Sequence, residues 1–380
     1  MKLAVCLYKF FPFGGLARDF MRIMQACLTD DDQVDVFVME WQGNMPDNMR
    51  VHVVPVSGWS NHAKLKSFIA QVGPQLRQPD YDLVVGFNKM PGLDLYYAAD
   101  PCYLDRIKSH PLYGLLKYSG RVAFYSACED AVFGRQSHTV SLMISDLQQA
   151  LFKQHYATPD ERLISLPPGI DRDRQKPANA AEIRQRKRQE LAIADNEWLL
   201  LMVGTGFKTK GVDRSIAALA ALPPSHKNKV KLVIIGDGST SALQKQATKL
   251  GVADAVRFLG GRSDVPDFLL AADLLIHPAR KENTGTVILE AMVAGLPVLV
   301  ASVCGYAKHV SKANAGLILQ QPEDPTETAK DITTMLDKTR LAEWSTQALH
   351  YAATEDLYSM PERAGQLIRQ MVAAKQKEQA

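Results

Sequence analysis

Short apolar runs alternate with stretches of helical spacing along nearly the whole chain. In the first half, residues 2–8, 34–39, 51–56, 83–87, 96–99, 140–144 and 162–166 are near-continuous apolar runs, the pattern of parallel strands buried on both faces. Between them the period lengthens. Leu16, Phe20, Ile23, Met24 and Cys27 mark one face of a helix over 16–28, and further helices are predicted over 62–76 and 148–156. The alternation restarts with strands at 198–203, 230–235, 256–259, 273–278, 298–301 and 316–319, separated by helices at 212–222, 242–250 and 265–272. Strands and helices of these lengths in strict alternation predict an α/β chain of parallel sheets covered on both faces.

Between the two series lies Pro167-Pro168-Gly169-Ile170-Asp171, then a polar stretch, 172–197, without apolar periodicity. The predicted division is therefore two domains, 1–170 and 171–358, with a polar terminal helix over 359–380 whose lysine- and glutamine-rich end is frayed. A length of 380 residues agrees, being long for a single core. One stretch breaks the pattern. Over 103–133, Arg106, Lys108, Lys117 and Arg121 interleave with Tyr113, Leu115, Leu116, Tyr118, Phe124 and Tyr125. Cations and rings mixed on helices suit an anionic membrane surface, and they equally suit an insertion packed on its own domain.

Composition narrows the classes. With 46% hydrophobic and 22% charged residues the chain has the make-up of a soluble globular protein, and a net charge of +3 gives no signal of a nucleic-acid partner. Five scattered cysteines, none in Cys-x-x-Cys spacing, argue against a disulfide framework and against a zinc site. The opening MKLAVCLYKFFPFGG is too short and too interrupted for a signal peptide, and no segment approaches the ~20 apolar residues of a membrane span. A cytoplasmic location is expected.

Candidate chemistry gathers at strand ends. Pro12-Phe13-Gly14-Gly15 joins the first strand to the first helix, and glycines there let backbone amides approach a phosphate, or simply make a turn. Arg18 and Asp19 lie on the first turn beyond it. Arg18 suits a phosphate or an anionic acceptor and Asp19 a sugar hydroxyl, unless the two only pair with each other. Asp100 follows another strand. In the second half, Gly204-Thr205-Gly206-Phe207-Lys208-Thr209-Lys210-Gly211 is neither a Walker loop nor a dinucleotide fingerprint, yet its lysines suit a diphosphate. The stretch HPARKENTGTVILEAMVAGLPVLVASV, from His277, reads as strand, loop, helix and strand, with Glu282 in the loop and Glu290 inside an apolar helix with Val287, Ile288, Ala291, Met292 and Leu296 on one face. A carboxylate in that setting calls for a partner, and a sugar or ribose hydroxyl is a suitable one.

Glu282 and Glu290, eight positions apart, together with Phe13-Gly14-Gly15, Pro167–Asp171 and Lys210-Gly211, resemble the retaining glycosyltransferases of family GT4, which have the GT-B fold. LYKFFPFGGLARDFMRI, FNKMPGLDLYYAAD and DLYSMP resemble its subgroup of bacterial lipopolysaccharide core glucosyltransferases. The resemblance spans almost the whole chain. It implies two facing Rossmann-like domains with an interdomain active-site cleft, the acceptor on the first domain and the nucleotide sugar on the second. It further implies glucose transfer from UDP-glucose to an inner-core heptose of lipopolysaccharide at the cytoplasmic face of the inner membrane, with no cofactor and no metal. Glu282 would face the donor sugar and Glu290 the ribose, with Asn283, Thr284, Gly285 and Thr286 around them. Lys210 would clamp the diphosphate, closed over by Gly14 and Gly15, and Arg262 would sit near the base. Asp100 stands where the family usually has histidine, Thr205 where it has arginine, and Asn283-Thr284-Gly285 where it has Gly-Phe-Gly. Arg18 or Lys208 is the candidate replacement for the missing cation. The implied catalytic set is Glu282, Lys210, Asp100 and Asp19, without a side-chain nucleophile.

Overall fold

The computed structural model describes residues 1–12, 14–77 and 80–379, with the backbone alone at 378 and 379. Phe13 and the final residue of the predicted frayed tail lie outside it. The chain divides into two compact units, Met1–Gly169 with Tyr358–Ala380, and Ile170–Leu357.

The first unit carries strands β1 Lys2–Cys6, β2 Lys9–Phe10, β3 Gln33–Val38, β4 Glu40–Trp41, β5 Arg50–Val53, β6 Leu83–Gly86, β7 Leu95–Ala98, β8 Val140–Met143 and β9 Leu163–Ser165. Seven of them form one parallel sheet in the order β5-β3-β1-β6-β7-β8-β9, and β2 pairs with β4 apart from it. Strand runs such as Leu3-Ala4-Val5, wholly excluded from solvent, explain why this sequence has no polar alternation: helices cover both faces. The helix Gly15–Cys27 places Phe20, Ile23, Met24 and Cys27 against the sheet. Beside it runs the last helix, Met360–Gln379, whose Ala364, Leu367, Ile368 and Val372 join the same core. Gly365 makes that crossing close, since a Cβ there would lie 3.1 Å from the Cys27 backbone.

The second unit holds β10 Trp198–Val203, β11 Val230–Ile235, β12 Val256–Phe258, β13 Leu274–His277, β14 Val298–Ala301 and β15 Gly316–Leu319. All pair in parallel in the order β12-β11-β10-β13-β14-β15, the doubly wound Rossmann order, which reverses direction between β10 and β13. Leu199, Leu200 and Leu201 are each at most 1% exposed, and burying such a side chain stabilises by roughly 1.5–3 kcal/mol.

The structure adds local detail. The polar stretch 172–197, without apolar periodicity, carries the helix Ala180–Glu190, inside the second unit. Its packing runs through cations instead of apolar side chains. Arg184 donates to the carbonyls of Leu270, Ala271 and Ala272 at the end of the helix Val265–Ala271, and buried Lys187 meets Asp264 at 2.8 Å. The helix Thr286–Val293 is buried all round and not on one face, every residue from Val287 to Val293 being shielded. The stretch 103–133 breaks into three helices, Tyr103–Lys108, Tyr113–Leu116 and Gly120–Phe133. The terminal helix spans Met360–Gln379.

Candidate active site

In the second unit the strand order reverses between β10 and β13, and ligands of doubly wound sheets sit beyond the carboxyl ends of strands at such a point. Two loops leave the sheet there. The loop after β10 turns on Gly204, Gly206 and Gly211, with φ of 151°, 79° and 77°. Glycine is required at Gly211, where an added Cβ would also strike the Pro278 carbonyl. Phe207 is buried and anchors the loop, leaving Thr205 and Lys208 exposed and Lys210 turned toward the loop after β13.

The second loop is clipped to the first. Arg280 makes a two-pronged pair with Asp213 at 2.7 Å on each arm, and its amide donates to the Thr209 carbonyl at 2.8 Å. Arg214 donates to the Pro278 carbonyl at 3.1 Å. Glu282 is thereby presented to the Lys210 ammonium, its ion-pair partner, and to His277 Nε2 at 3.2 Å. Both contacts fall on Oε2, and Oε1 makes no hydrogen bond among the described residues. A carboxylate only accepts, so His277 donates through Nε2. Burial alone would raise the Glu282 carboxyl, but the His277 hydrogen bond and the Lys210 charge outweigh it and hold the group at about 2, below its ordinary 4.5. Behind it, burial and the Glu282 charge push the Cys304 thiol up to about 12.

The loop after β14 completes the edge. A bridge joins Glu282 to Cys304, and the Tyr306 amide donates to the Thr284 carbonyl at 2.8 Å. Gly285, with φ of 86°, starts the helix Thr286–Val293 without any side-chain cap, so first-turn amides there are available to an anion. Glu290 lies buried in that helix with Arg174 Nε 4.0 Å away. Thr205, Lys208, Lys210, Glu282, Asn283, Thr284, Gly285, Thr286 and Glu290 thus belong to loops and one helix at a single sheet edge. Arg262 follows β12 and is committed elsewhere, held by both arms to Asp264 at 2.8 Å.

In the first unit, Gly14 and Gly15 open the helix after β1, and the Arg18 amide donates to the Gly14 carbonyl. Asp19 accepts from the Tyr97 hydroxyl at 2.9 Å, which ties it to β7. Asp100, after β7, accepts from Asn88 Nδ2 and the Tyr96 hydroxyl, each at 3.3 Å. Sequence reasoning passed over His277 and Arg174. His277 had one signal, a titratable residue closing an apolar strand five positions before Glu282; Arg174 had none beyond its charge.

Two parallel-stranded Rossmann-like units, one with a lysine–glutamate pair and an uncapped helix at its switch point, define a GT-B type of nucleotide-sugar enzyme. Residues 183–350 match the family described as "Glycosyl transferases group 1". The chain is 42% identical to the lipopolysaccharide glucosyltransferase WaaG of Escherichia coli K12 over 97% of its own length and 98% of that protein's. The crystal structure of WaaG, a glycosyltransferase involved in lipopolysaccharide biosynthesis, superposes with a TM-score of 0.89, covering 96% of this chain and 99% of that one. The Anabaena protein Alr3699/HepE in complex with UDP-glucose shares the fold at 21% identity, with a TM-score of 0.75 over 98% and 100% of the two chains. The chain belongs to the group 1 glycosyltransferases.

Proposed function

We propose that the protein transfers glucose from UDP-glucose to an inner-core heptose of lipopolysaccharide, retaining the α configuration and using no divalent metal. One observation carries this reading: Lys210, Glu282 and His277 converge beside the uncapped helix start at the switch point of the second sheet. In this reading the donor diphosphate takes Lys210 from Glu282. The ammonium and the first-turn amides then meet the negative charge growing on the leaving group. Glu282 keeps its bond from His277 and turns Oε1 to the hydroxyls of the sugar, a positioning role and not a nucleophilic one. Glu290 takes the ribose. The leaving phosphate accepts the acceptor proton, so no side-chain base is needed. Asp19 and Asp100 serve acceptor or donor hydroxyls from the first unit, with Gly14, Gly15 and Arg18 toward the diphosphate.

We assign the stretch 103–133 to an anionic membrane surface at the cytoplasmic face of the inner membrane. Leu112, Leu115 and Tyr118 are 57%, 76% and 79% exposed, among exposed Lys108, Lys117 and Arg121. No helix among the described residues is long and apolar enough to cross a membrane.

The test is UDP release from UDP-glucose by the purified protein, with and without truncated lipopolysaccharide ending in heptose. Release stimulated by the acceptor and lost in Glu282→Ala and Lys210→Ala is the expected result. Equal release by all three proteins overturns the site. Turnover only with another nucleotide hexose replaces the donor and keeps the fold, which is the alternative reading.

A further inference from the structure

The second unit contains a cavity of about 340 Å³ at the edge of its sheet away from the site described above. Asp273 and Pro297 of its wall immediately precede β13 and β14, whereas Glu282 lies beyond the carboxyl end of β13. Strands of four residues, Leu274–His277 and Val298–Ala301, separate the two edges by about 13 Å. The volume falls at the small end of the roughly 300–1,000 Å³ of ligand pockets, so it suits a short chain and not a nucleotide sugar.

Most of its wall is apolar. The helices Val265–Ala271 and Lys338–Thr354 bring Leu269 and Leu341, and the turn after the helix Thr286–Val293 brings Leu296. Among the described residues the lining holds one carboxylate, Asp273, and both of its oxygens are engaged. Oδ1 accepts from Arg184, and Oδ2 from Arg188 at 3.1 Å and from the Leu199 amide at 2.7 Å. Arg184 is engaged as well, by that pair and by the carbonyls that end the helix Val265–Ala271. Lys176 differs from both. It is exposed, and its ammonium makes no hydrogen bond or ion pair among the described residues. Its backbone is fixed beforehand, since its amide donates to the Val293 carbonyl at 3.2 Å, and a preformed wall lowers the ordering cost of binding. The cavity therefore offers an apolar body, one uncommitted positive charge and no open carboxylate to repel an anion.

We propose that this cavity binds a small anionic amphiphile, a free carboxylate with a short saturated chain. The chain lies against Leu269, Leu296 and Leu341, and the carboxylate meets the Lys176 ammonium. Removal of the chain from water drives binding, and the ammonium supplies the preference for an anionic head. The site is separate from the edge that carries Lys210 and Glu282, and it does not depend on the transfer reaction proposed above.

The probes are hexanoate and octanoate, with 1-octanol as the neutral counterpart, titrated into the full chain and followed by saturation-transfer NMR. Octanoate should bind wild type more tightly than hexanoate, by about 4-fold for each added methylene. Lys176→Gln should weaken octanoate by about 2- to 5-fold, the scale of an exposed ion pair, and leave octanol unchanged. Ala342→Trp, at an exposed position of the wall, should fill the cavity and abolish binding of both. Saturating UDP should leave octanoate in place. Failure of octanoate to bind, binding unaffected by Ala342→Trp, or displacement by UDP overturns the site. Octanoate and octanol weakened alike by Lys176→Gln, or neither weakened, overturns the anionic head. Equal affinity for hexanoate and octanoate overturns the placing of the chain. A second arm, phosphatidylglycerol vesicles, tests the other source of such a ligand. Vesicle binding that is lost in Ala342→Trp assigns the cavity to a membrane lipid and overturns the free carboxylate.

Discussion

The shielded lysine–glutamate pairs Lys89–Glu129 of the first unit and Lys210–Glu282 of the second are built differently. In the first unit Glu129 is wholly buried and accepts from Lys89, two backbone amides and the Tyr156 hydroxyl, so both of its oxygens are occupied. In the second, Lys210 and Glu282 keep 21% and 13% of their side chains exposed, and one glutamate oxygen stays open. Both pairs are largely shielded, the first more than the second, and they differ in the number of partners that each carboxylate has fixed in advance. A carboxylate with every lone pair engaged is a fastener, and one with half its capacity open can exchange a protein partner for a ligand.

The sharpest way to break that contrast is to remove each lysine in turn. Lys210→Ala should lower kcat by roughly 10²–10³-fold, the scale for losing one preorganised charge stabiliser, with a smaller fall in the unfolding midpoint than Lys89→Ala gives. Lys89→Ala should do the reverse. Stranding Glu129 in the core costs about 3–5 kcal/mol, read as a lower denaturant midpoint, while any folded fraction retains its Kd for UDP. If Lys210→Ala loses as much stability as Lys89→Ala, the distinction fails.

Acid titration is the next probe. The Glu282 carboxyl sits at about 2 in the folded protein against an ordinary 4.5. The unfolded chain binds the extra proton between those values, so stability from this group is complete above about 4.5 and drains away as pH falls toward 2. Urea unfolding at stepped pH should show that loss in wild type. In His277→Phe the loss should be smaller and end at a higher pH, because one of the bonds favouring the charged form is gone and the folded carboxyl lies closer to its ordinary value. An unchanged profile would deny His277 its part. The smallest expected effect belongs to Gly211→Ala. A left-handed φ of 77° costs an alanine about 1–2 kcal/mol, and the displaced Pro278 carbonyl should show as a weaker Kd for UDP-glucose.

The strands were legible because residues buried on both faces leave an unmistakable run, as in Trp198–Val203. The helix Ala180–Glu190 was not, because Arg184, Lys187 and Arg188 pack through carbonyls and carboxylates that lie some eighty residues away in sequence. The site divides the same way. Lys210 and Glu282 each carry a local signal, glycines beside a cation and an acid after a strand. Their mutual contact, and the tie of Arg280 to Asp213, follow from the parallel pairing of β10 with β13, which no local pattern encodes. Glu129 offers the same cue as Glu290, an acid within an apolar helix, and only the partners around it reveal its different task.

The helix Met360–Gln379 supplies Ala364, Leu367, Ile368 and Val372 to the core that begins with Leu3 and Val5. The first unit is therefore stitched from two pieces of chain with the whole second unit between them. On the ribosome the usual N-terminal-first order is inverted. The nascent first unit waits with one flank of its core bare while the second, continuous in sequence, emerges with all of its own partners and can close beforehand.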